Sequence, residues 1–336
     1  MADTKKLTRQ RARRILTAAA RHTVLVTGDV MLDQFIWGNV DRISPEAPVP
    51  VVQFKRESFM AGGAANVARN LTALGCGARM HSVIGRDDAA KKLRTLLKAD
   101  EVDCQPLITD ADRQTSCKTR IIAQRQQVVR VDRETRTDIT PRLAKRLAKS
   151  IDTGLAKSNA IVIGDYGKGV ITQEYLDELK ALGQRHGVWL SLDPKPVHSL
   201  NLRGLSLITP NRKEAFELAG IDDNTYHAQP LKDQNLMRVA KQLLADLELE
   251  VLLITLGDLG MLVCQPGSKP FHIPTLAREV FDVSGAGDTV IGAYTLAVAA
   301  GADPIEAAML ANHAAGVVVG KLGTATVTPK ELLASI

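Results

Sequence analysis

Phe281-Asp282-Val283-Ser284-Gly285-Ala286-Gly287-Asp288-Thr289 places two glycines and two acids where a strand gives way to a helix. An apolar run follows over residues 290–300, enough for about three helical turns. Residues 285–287 can then form the first turn of that helix. Its first backbone N–H groups have no internal partners, and the helix dipole is positive there. Glycine removes the side chains that would hold an anion away from those donors. Asp288 comes one residue past the last glycine. An acid there repels a phosphate but can take a proton from a hydroxyl attacking that phosphate, as phosphoryl transfer requires. The same letters also describe an ordinary glycine-rich helix start with an acid in its first turn, so support must come from elsewhere.

On the N-terminal side of this stretch, strand-like and helix-like runs alternate. Short apolar runs cover 24–27, ending at Gly28-Asp29, and 80–84, closed by Gly85. Others cover 160–163, ending at Gly164-Asp165, and 188–192, ending at Asp193-Pro194. Two more cover 205–209, ending at Pro210-Asn211, and 251–255, ending at Gly257. Helical segments are predicted at 64–74, 173–186, 212–219 and 236–247. Buried parallel strands alternating with helices imply an α/β fold with a doubly wound, mostly parallel sheet flanked by helices. Ligands of such sheets lie beyond the carboxyl ends of the strands. Asp29, Asp165, Asp193, Asn211 and Gly257 all fall at those ends, and their convergence supports one crevice there.

Two segments break the rhythm. Residues 33–60 read as an edge strand tolerant of Pro45, Pro48 and Pro50, and 115–132 as a hairpin. Together they suit a small β-sheet lid, although decorated loops remain the alternative. So small a sheet must cover something: the site, a partner subunit, or both. The organisation expected is a basic N-terminal helical arm over 1–22 and one domain over 23–336, with lid segments near 33–60 and 115–132.

Composition bounds the function. The 336 residues are 45% hydrophobic and 24% charged, ordinary for a globular chain with a sizeable core. No apolar run reaches membrane-spanning length, and the N-terminus lacks the apolar region of a secretory signal. Cys76, Cys104, Cys117 and Cys264 are widely spaced, which suits a reducing cytoplasm and argues against a disulfide framework or zinc site. The net charge of +6 draws on Lys5, Lys6, Arg9, Arg11, Arg13 and Arg14. That run could touch nucleic acid or an anionic membrane; without interleaved aromatics it reads as the solvated face of a short helix ending near Ala20. Neither nucleic acid nor a membrane is expected as a partner.

Ala61-Gly62-Gly63-Ala64-Ala65-Asn66-Val67-Ala68, with Gly75 and Gly85 behind it, resembles the N-terminal signature of the ribokinase (PfkB) carbohydrate kinases. The 282–288 stretch resembles their C-terminal signature. The likeness runs over residues 24–333. Finer features resemble the heptose-7-phosphate 1-kinases of lipopolysaccharide synthesis: Gly28-Asp29-Val30-Met31-Leu32-Asp33, residues 42–52, Asp165-Tyr166-Gly167-Lys168-Gly169, Asp193-Pro194-Lys195 and Thr209-Pro210-Asn211. Some relatives continue into a nucleotidyltransferase domain with a His-x-Gly-His type motif. None occurs here, so the chain resembles the kinase-only form.

The resemblance implies roles residue by residue. Asp288 is the expected general base for a sugar C1 hydroxyl, without needing a much raised pKa because the proton can leave late. Gly285, Ala286 and Gly287 supply N–H donors to the γ-phosphate of ATP. Asn211 and Glu214 have the spacing the family uses near the phosphates and magnesium, and on a helix they would share a face; from spacing alone Glu214 is also an ordinary surface acid. Thr255, Gly257 and Gly260 lie along the nucleotide, and Asn312 and Gly316 resemble its adenine wall. Asp33, Asn66 and Asp165 face the acceptor sugar, with Gly62 and Gly63 letting its ring approach the backbone. Lys118, Arg120, Lys168 and Lys195 are the candidate cations for a phosphate already on that sugar, Arg120 first because its fork suits phosphate. Lys118 and Arg120 also read as exposed lid residues. Magnesium is expected to come with ATP near Glu214, without an all-protein cage; a monovalent-cation site stays open, and a homodimer through the lid is expected.

Two other classes stand beside the kinase. A nicotinamide enzyme would suit the sheet, but no Gly-x-Gly-x-x-Gly follows the first strand, and a Walker A loop is also absent. A kinase fold used only for binding would have no need of Asp288 beside the 285–287 turn.

Overall fold

Val24 and Val26 bury against one helical layer and Leu25 against the other, the period-two pattern of a strand covered on both faces. The same alternation recurs in Ile161 and Val162 and in Leu252 and Leu253, so a helix layer is required on each side. The computed structural model describes residues 6–124, 126–196, 199–276 and 281–336; Lys5 of the basic run and Arg125 of the hairpin turn lie outside them.

Helix α1 (Arg9–Ala19) precedes β1 (Thr23–Gly28), β2 (Val30–Ile43) and β3 (Pro50–Gly63). Then come α2 (Ala64–Ala73), β4 (Gly77–His81), β5 (Val83–Ile84), α3 (Asp88–Ala99), β6 (Ile108–Thr109), β7 (Ser116–Ala123), β8 (Gln126–Arg133) and α4 (Pro141–Leu155). The chain continues through β9 (Ala160–Gly164), α5 (Gln173–His186), β10 (Trp189–Asp193), β11 (Leu207–Ile208), α6 (Arg212–Ala219) and α7 (Gln234–Asp246). Strands β12 (Val251–Thr255), β13 (Met261–Cys264) and β14 (Phe271–Ile273) lead to α8 (Ala286–Ala299), α9 (Pro304–Val318) and α10 (Pro329–Ser335).

The main sheet has the order β14-β13-β12-β11-β10-β9-β1-β4. It is parallel from β4 to β12, with β13 and β14 added antiparallel. The doubly wound architecture is therefore present, and every parallel strand delivers its carboxyl end to one edge. The N-terminal arm is packed in: Ala12, Ile15, Leu16 and Ala19 of α1 are buried, and Arg11 pairs with Glu306 of α9 at 2.8 Å.

The lid is a second sheet, ordered β3-β2-β7-β8. Its 115–132 half is the expected hairpin. Its 33–60 half is not one edge strand but two antiparallel 14-residue strands, with β2 interior and paired in parallel to β7. Pro45 and Pro48 sit in the connecting loop and Pro50 opens β3, where a missing N–H costs little. Register breaks beside Trp37/Gly38 and Val40/Arg42 mark bulges in the long pair. The lid grows directly from the site edge, since β2 starts two residues after β1 and β3 runs straight into α2. The run at 80–84 also divides, into β4 of the main sheet and β5 of a small two-stranded sheet with β6.

Candidate active site

Gly285 takes a left-handed conformation (φ 78°) as the N-cap of α8, which β-bearing residues adopt at a cost. The 285–287 turn is thus a helix start, as its residues predict. Of its three N–H groups, that of Ala286 bonds Val283 O at 3.2 Å; those of Gly285 and Gly287 have no partner among the described residues. The donor set expected over 285–287 therefore narrows to the two glycines in this state. Asp282 fixes the approach to the turn, accepting from Ser284 N and Gly323 N.

Asp288 lies in the first turn of α8 and is 7% exposed. Its Oδ2 accepts from Asn66 Nδ2 at 2.8 Å, and its Oδ1 from the Tyr166 hydroxyl. Burial lifts its pKa above the usual carboxylate range, Tyr166 and Asn66 pull it back, nearby Asp33 raises it and Lys118 lowers it. Burial and then Asp288 push the Tyr166 phenol well above its ordinary value, so the phenol is the donor in that bond.

The lid hangs its polar residues over this carboxylate. Asp33 on β2 sits opposite Lys118 of β7 in the strand register. Arg120 Nη1 bonds Asp33 Oδ1 at 2.6 Å, so the cation first in line for a substrate phosphate is already paired. Lys168 is likewise paired, to Glu134 at 2.7 Å. Lys118 makes no ion pair or hydrogen bond among the described residues, and burial followed by Lys168 lowers its pKa. Gly62 leaves room for Asp33 rather than for a sugar ring, since a Cβ on it would come within 2.1 Å of Asp33 Oδ2. Asp165 is turned into its own loop, accepting from Gly167 N at 2.9 Å.

On the other side of the turn is a cavity of about 410 Å³, ordinary for a small-molecule site. Thr255, Gly257 and Gly260 line it from the β12 end, Asn312 and Gly316 from α9, and Ala286 and Gly287 close it at the turn. The sequence-predicted nucleotide residues thus converge, apart from Asn211 and Glu214. Asn211 is not on a helix face with Glu214. It is the N-cap of α6, and the two form a capping box in which each side chain accepts the other's backbone N–H at 3.0 Å. Glu214 also binds Lys195 at 3.1 Å, which draws that lysine to the phosphate end and away from the other candidate cations. Asn312 Nδ2 holds Pro274 O at 2.9 Å, fixing the cavity wall.

The pfkB family carbohydrate kinase model matches residues 21–331. The chain belongs to the pfkB family of carbohydrate kinases. This pfkB kinase is 44% identical over 322 residues to the bifunctional protein HldE of Geotalea uraniireducens, covering 96% of this chain and 64% of that protein. Over 328 residues it is 42% identical to the HldE of Geobacter sulfurreducens, covering 98% and 66%. It therefore spans somewhat less than two thirds of these curated relatives. In fold it is similar to Arabidopsis thaliana ribokinase complexed with ribose and ATP (TM-score 0.73, 18% identity, 94% and 98% of the two chains). Phosphofructokinase-2 of Escherichia coli is similar too (TM-score 0.73, 19% identity, 93% and 96%). The pfkB kinase is an ATP-dependent sugar kinase.

Three residues of this pfkB kinase's site carry more than their letters announced. Tyr166 reaches the base, although it had read only as part of a motif. Asp193, at the end of β10, faces the turn: a Cβ on Gly287 would lie 3.9 Å from its Oδ2. Burial, then Asp288 and Glu214, raise its pKa well above the usual range. Asp29, at the end of β1, accepts the N–H groups of Tyr166, Lys168 and Val170 and clamps that loop. The available signal was position, since all three stand at or just past strand carboxyl ends.

Proposed function

We propose that this kinase transfers the γ-phosphoryl group of ATP to the C1 hydroxyl of D-glycero-D-manno-heptose 7-phosphate, giving the 1,7-bisphosphate for ADP-heptose and lipopolysaccharide core synthesis. The observation that carries the reading is Lys118, a cation without an ion-pair partner among the described residues, close enough to Asp288 to lower its pKa. A sugar kinase has no evident use for a spare cation on the acceptor side unless the acceptor is itself anionic. The names of the HldE relatives support the same substrate class.

ATP lies in the cavity with its γ-phosphate at the N–H groups of Gly285 and Gly287. Asp288 accepts the proton of the C1 hydroxyl as the oxygen bonds to the γ-phosphorus. The bond from that phosphorus to the β–γ bridging oxygen breaks, and ADP leaves with the electron pair. Donors aimed where negative charge grows speed such a step. Magnesium arrives on the nucleotide and meets Glu214, whose carboxylate stands at the phosphate end beside Lys195. Removing it with a chelator should stop turnover without unfolding the protein.

A second reading is favoured by the Arg120–Asp33 and Lys168–Glu134 pairs, which leave those two cations neutralised as an uncharged sugar would require. ADP release with heptose 7-phosphate, free heptose, ribose and fructose separates the two. Turnover of free heptose equal to that of the 7-phosphate would return the protein to a general sugar kinase. We place the reaction in the cytoplasm, where ATP is available, and propose a homodimer through the lid, whose Ile43, Phe54, Val129 and Val131 are exposed. Phe54→Glu should shift the protein towards monomer in light scattering; a wild-type monomer at working concentration would remove the dimer.

A further inference from the structure

The loop after β9 is held at its backbone and at its ring. Asp29, 1% exposed at the end of β1, receives Tyr166 N–H and Lys168 N–H on Oδ2, both at 2.9 Å, and Val170 N–H on Oδ1 at 3.0 Å. The Tyr166 ring lies against Gly164, where a Cβ would come within 2.9 Å of Tyr166 Cε2. Backbone clamp and ring packing together leave the hydroxyl one place to be, and there it meets Asp288 Oδ1. Asn66 holds the other oxygen. An ionised carboxylate offers about four lone-pair sites, so two donors still leave room for an acceptor hydroxyl.

We propose that Tyr166 is a positioning residue for phosphoryl transfer, its Asp29-clamped hydroxyl donating to Asp288 so that the carboxylate stays oriented and ready to take the acceptor's proton. The proposal rests on Asp288 being the base. The groups facing Asp288 come from five elements: Asp33 on β2, Lys118 on β7, Asn66 on α2, Asp193 at the end of β10, and Tyr166 itself. Asp33 and Asp193 oppose ionisation of Asp288, Lys118 favours it, and the two hydrogen bonds favour it. Without the phenol, the base should hold its proton to higher pH. A bond to a charged group of ordinary strength corresponds to about one to two pH units.

The test is the pH profile of kcat/KM for Tyr166→Phe, which keeps the ring, measured with ATP, magnesium and D-glycero-D-manno-heptose 7-phosphate. The acid limb should move up by about one unit or more, kcat should fall roughly ten-fold near neutrality and recover in base, and the ATP KM should hold. An unmoved limb overturns the proposal, whatever happens to kcat. 3-Fluorotyrosine placed at position 166, a stronger donor, should move the limb down, and serves if the phenylalanine variant does not fold. Asp288→Asn is measured alongside: if it stays active the reading of the base fails, whereas an inactive Asp288→Asn with an unmoved Tyr166→Phe limb sinks only the role of Tyr166.

Discussion

Asn66 Nδ2 donates to Asp288 Oδ2 across 2.8 Å, although the two residues stand 222 positions apart in the chain. Each belongs to a helix that begins at a left-handed glycine, Gly63 for α2 and Gly285 for α8. A short ladder ties these helices together. Asn70 Nδ2 donates to Asn66 O at 2.9 Å, and the Thr289 hydroxyl to Asn70 Oδ1 at 3.1 Å. The base is therefore oriented by the packing of one glycine-rich helix start against another, which gives both ends of the sequence a stake in the chemistry.

The tightest point in that packing is Gly285. A Cβ there would lie 2.6 Å from Asn66 Nδ2, at a φ of 78° that side chains disfavour. Gly285→Ala should push Asn66 off Asp288, lowering kcat by about ten-fold or more, and should cost about 1 kcal/mol or more in backbone strain. Steady-state kinetics beside a thermal melt checks both, and wild-type kcat in this variant would show that the Asn66 contact does not matter.

The lid cations should separate by their partners. Lys118→Ala should raise the acceptor KM about ten- to a hundred-fold while leaving the ATP KM near its wild-type value. Arg120→Ala should also raise the acceptor KM more than the ATP KM. In addition it should lower the melting temperature, because it strands Asp33, which is 3% exposed, without its ion pair. Equal stability of the two variants would mean that the Arg120–Asp33 pair holds nothing together.

Away from the site, His81 on β4 is fully buried, with Nδ1 3.1 Å from Ser150 Oγ and Nε2 unpartnered among the described residues. Burial, helped by Arg79 and opposed by Asp103, pushes its pKa from 6.5 down to about 4. The folded value lies below the unfolded one, so the unfolded chain takes the proton first. Stability is then fully present above about pH 6.5 and is lost as pH falls towards about 4. His81→Gln should flatten that slope, a change of up to about 3 kcal/mol, in denaturant melts at a series of pH values. An unchanged slope would place the acid sensitivity elsewhere.

The strand ends were legible because buried parallel strands leave continuous apolar runs that stop at polar residues, as at Gly28-Asp29 and Gly164-Asp165. The anion turn was legible because few other arrangements use Gly285-Ala286-Gly287 before an apolar helix. The lid was harder. Residues of β2 from Gln34 onward are half-buried or exposed, so the strand shows no core alternation, and the prolines that read as an edge lie in the connecting loop and at the start of β3. Asn211 and Glu214 were ambiguous because a capping box and a phosphate-side pair use the same letters at the same spacing. No one-dimensional signal pairs Arg120 with Asp33 or Lys195 with Glu214; those contacts depend on which strands and loops the fold sets side by side.

The central claim is that Asp288 takes the proton from the C1 hydroxyl of a phosphorylated sugar while ATP gives up its γ-phosphoryl group. Phosphorus NMR of wild type and Asp288→Asn, each incubated with ATP, magnesium and D-glycero-D-manno-heptose 7-phosphate, tests it most directly. Wild type should yield ADP and a new anomeric phosphate signal in equal amounts. Asp288→Asn should form that product about a hundred- to ten-thousand-fold more slowly while still binding ATP. Product formation by Asp288→Asn at a rate near that of wild type, or a wild-type product phosphorylated anywhere but C1, would contradict the account.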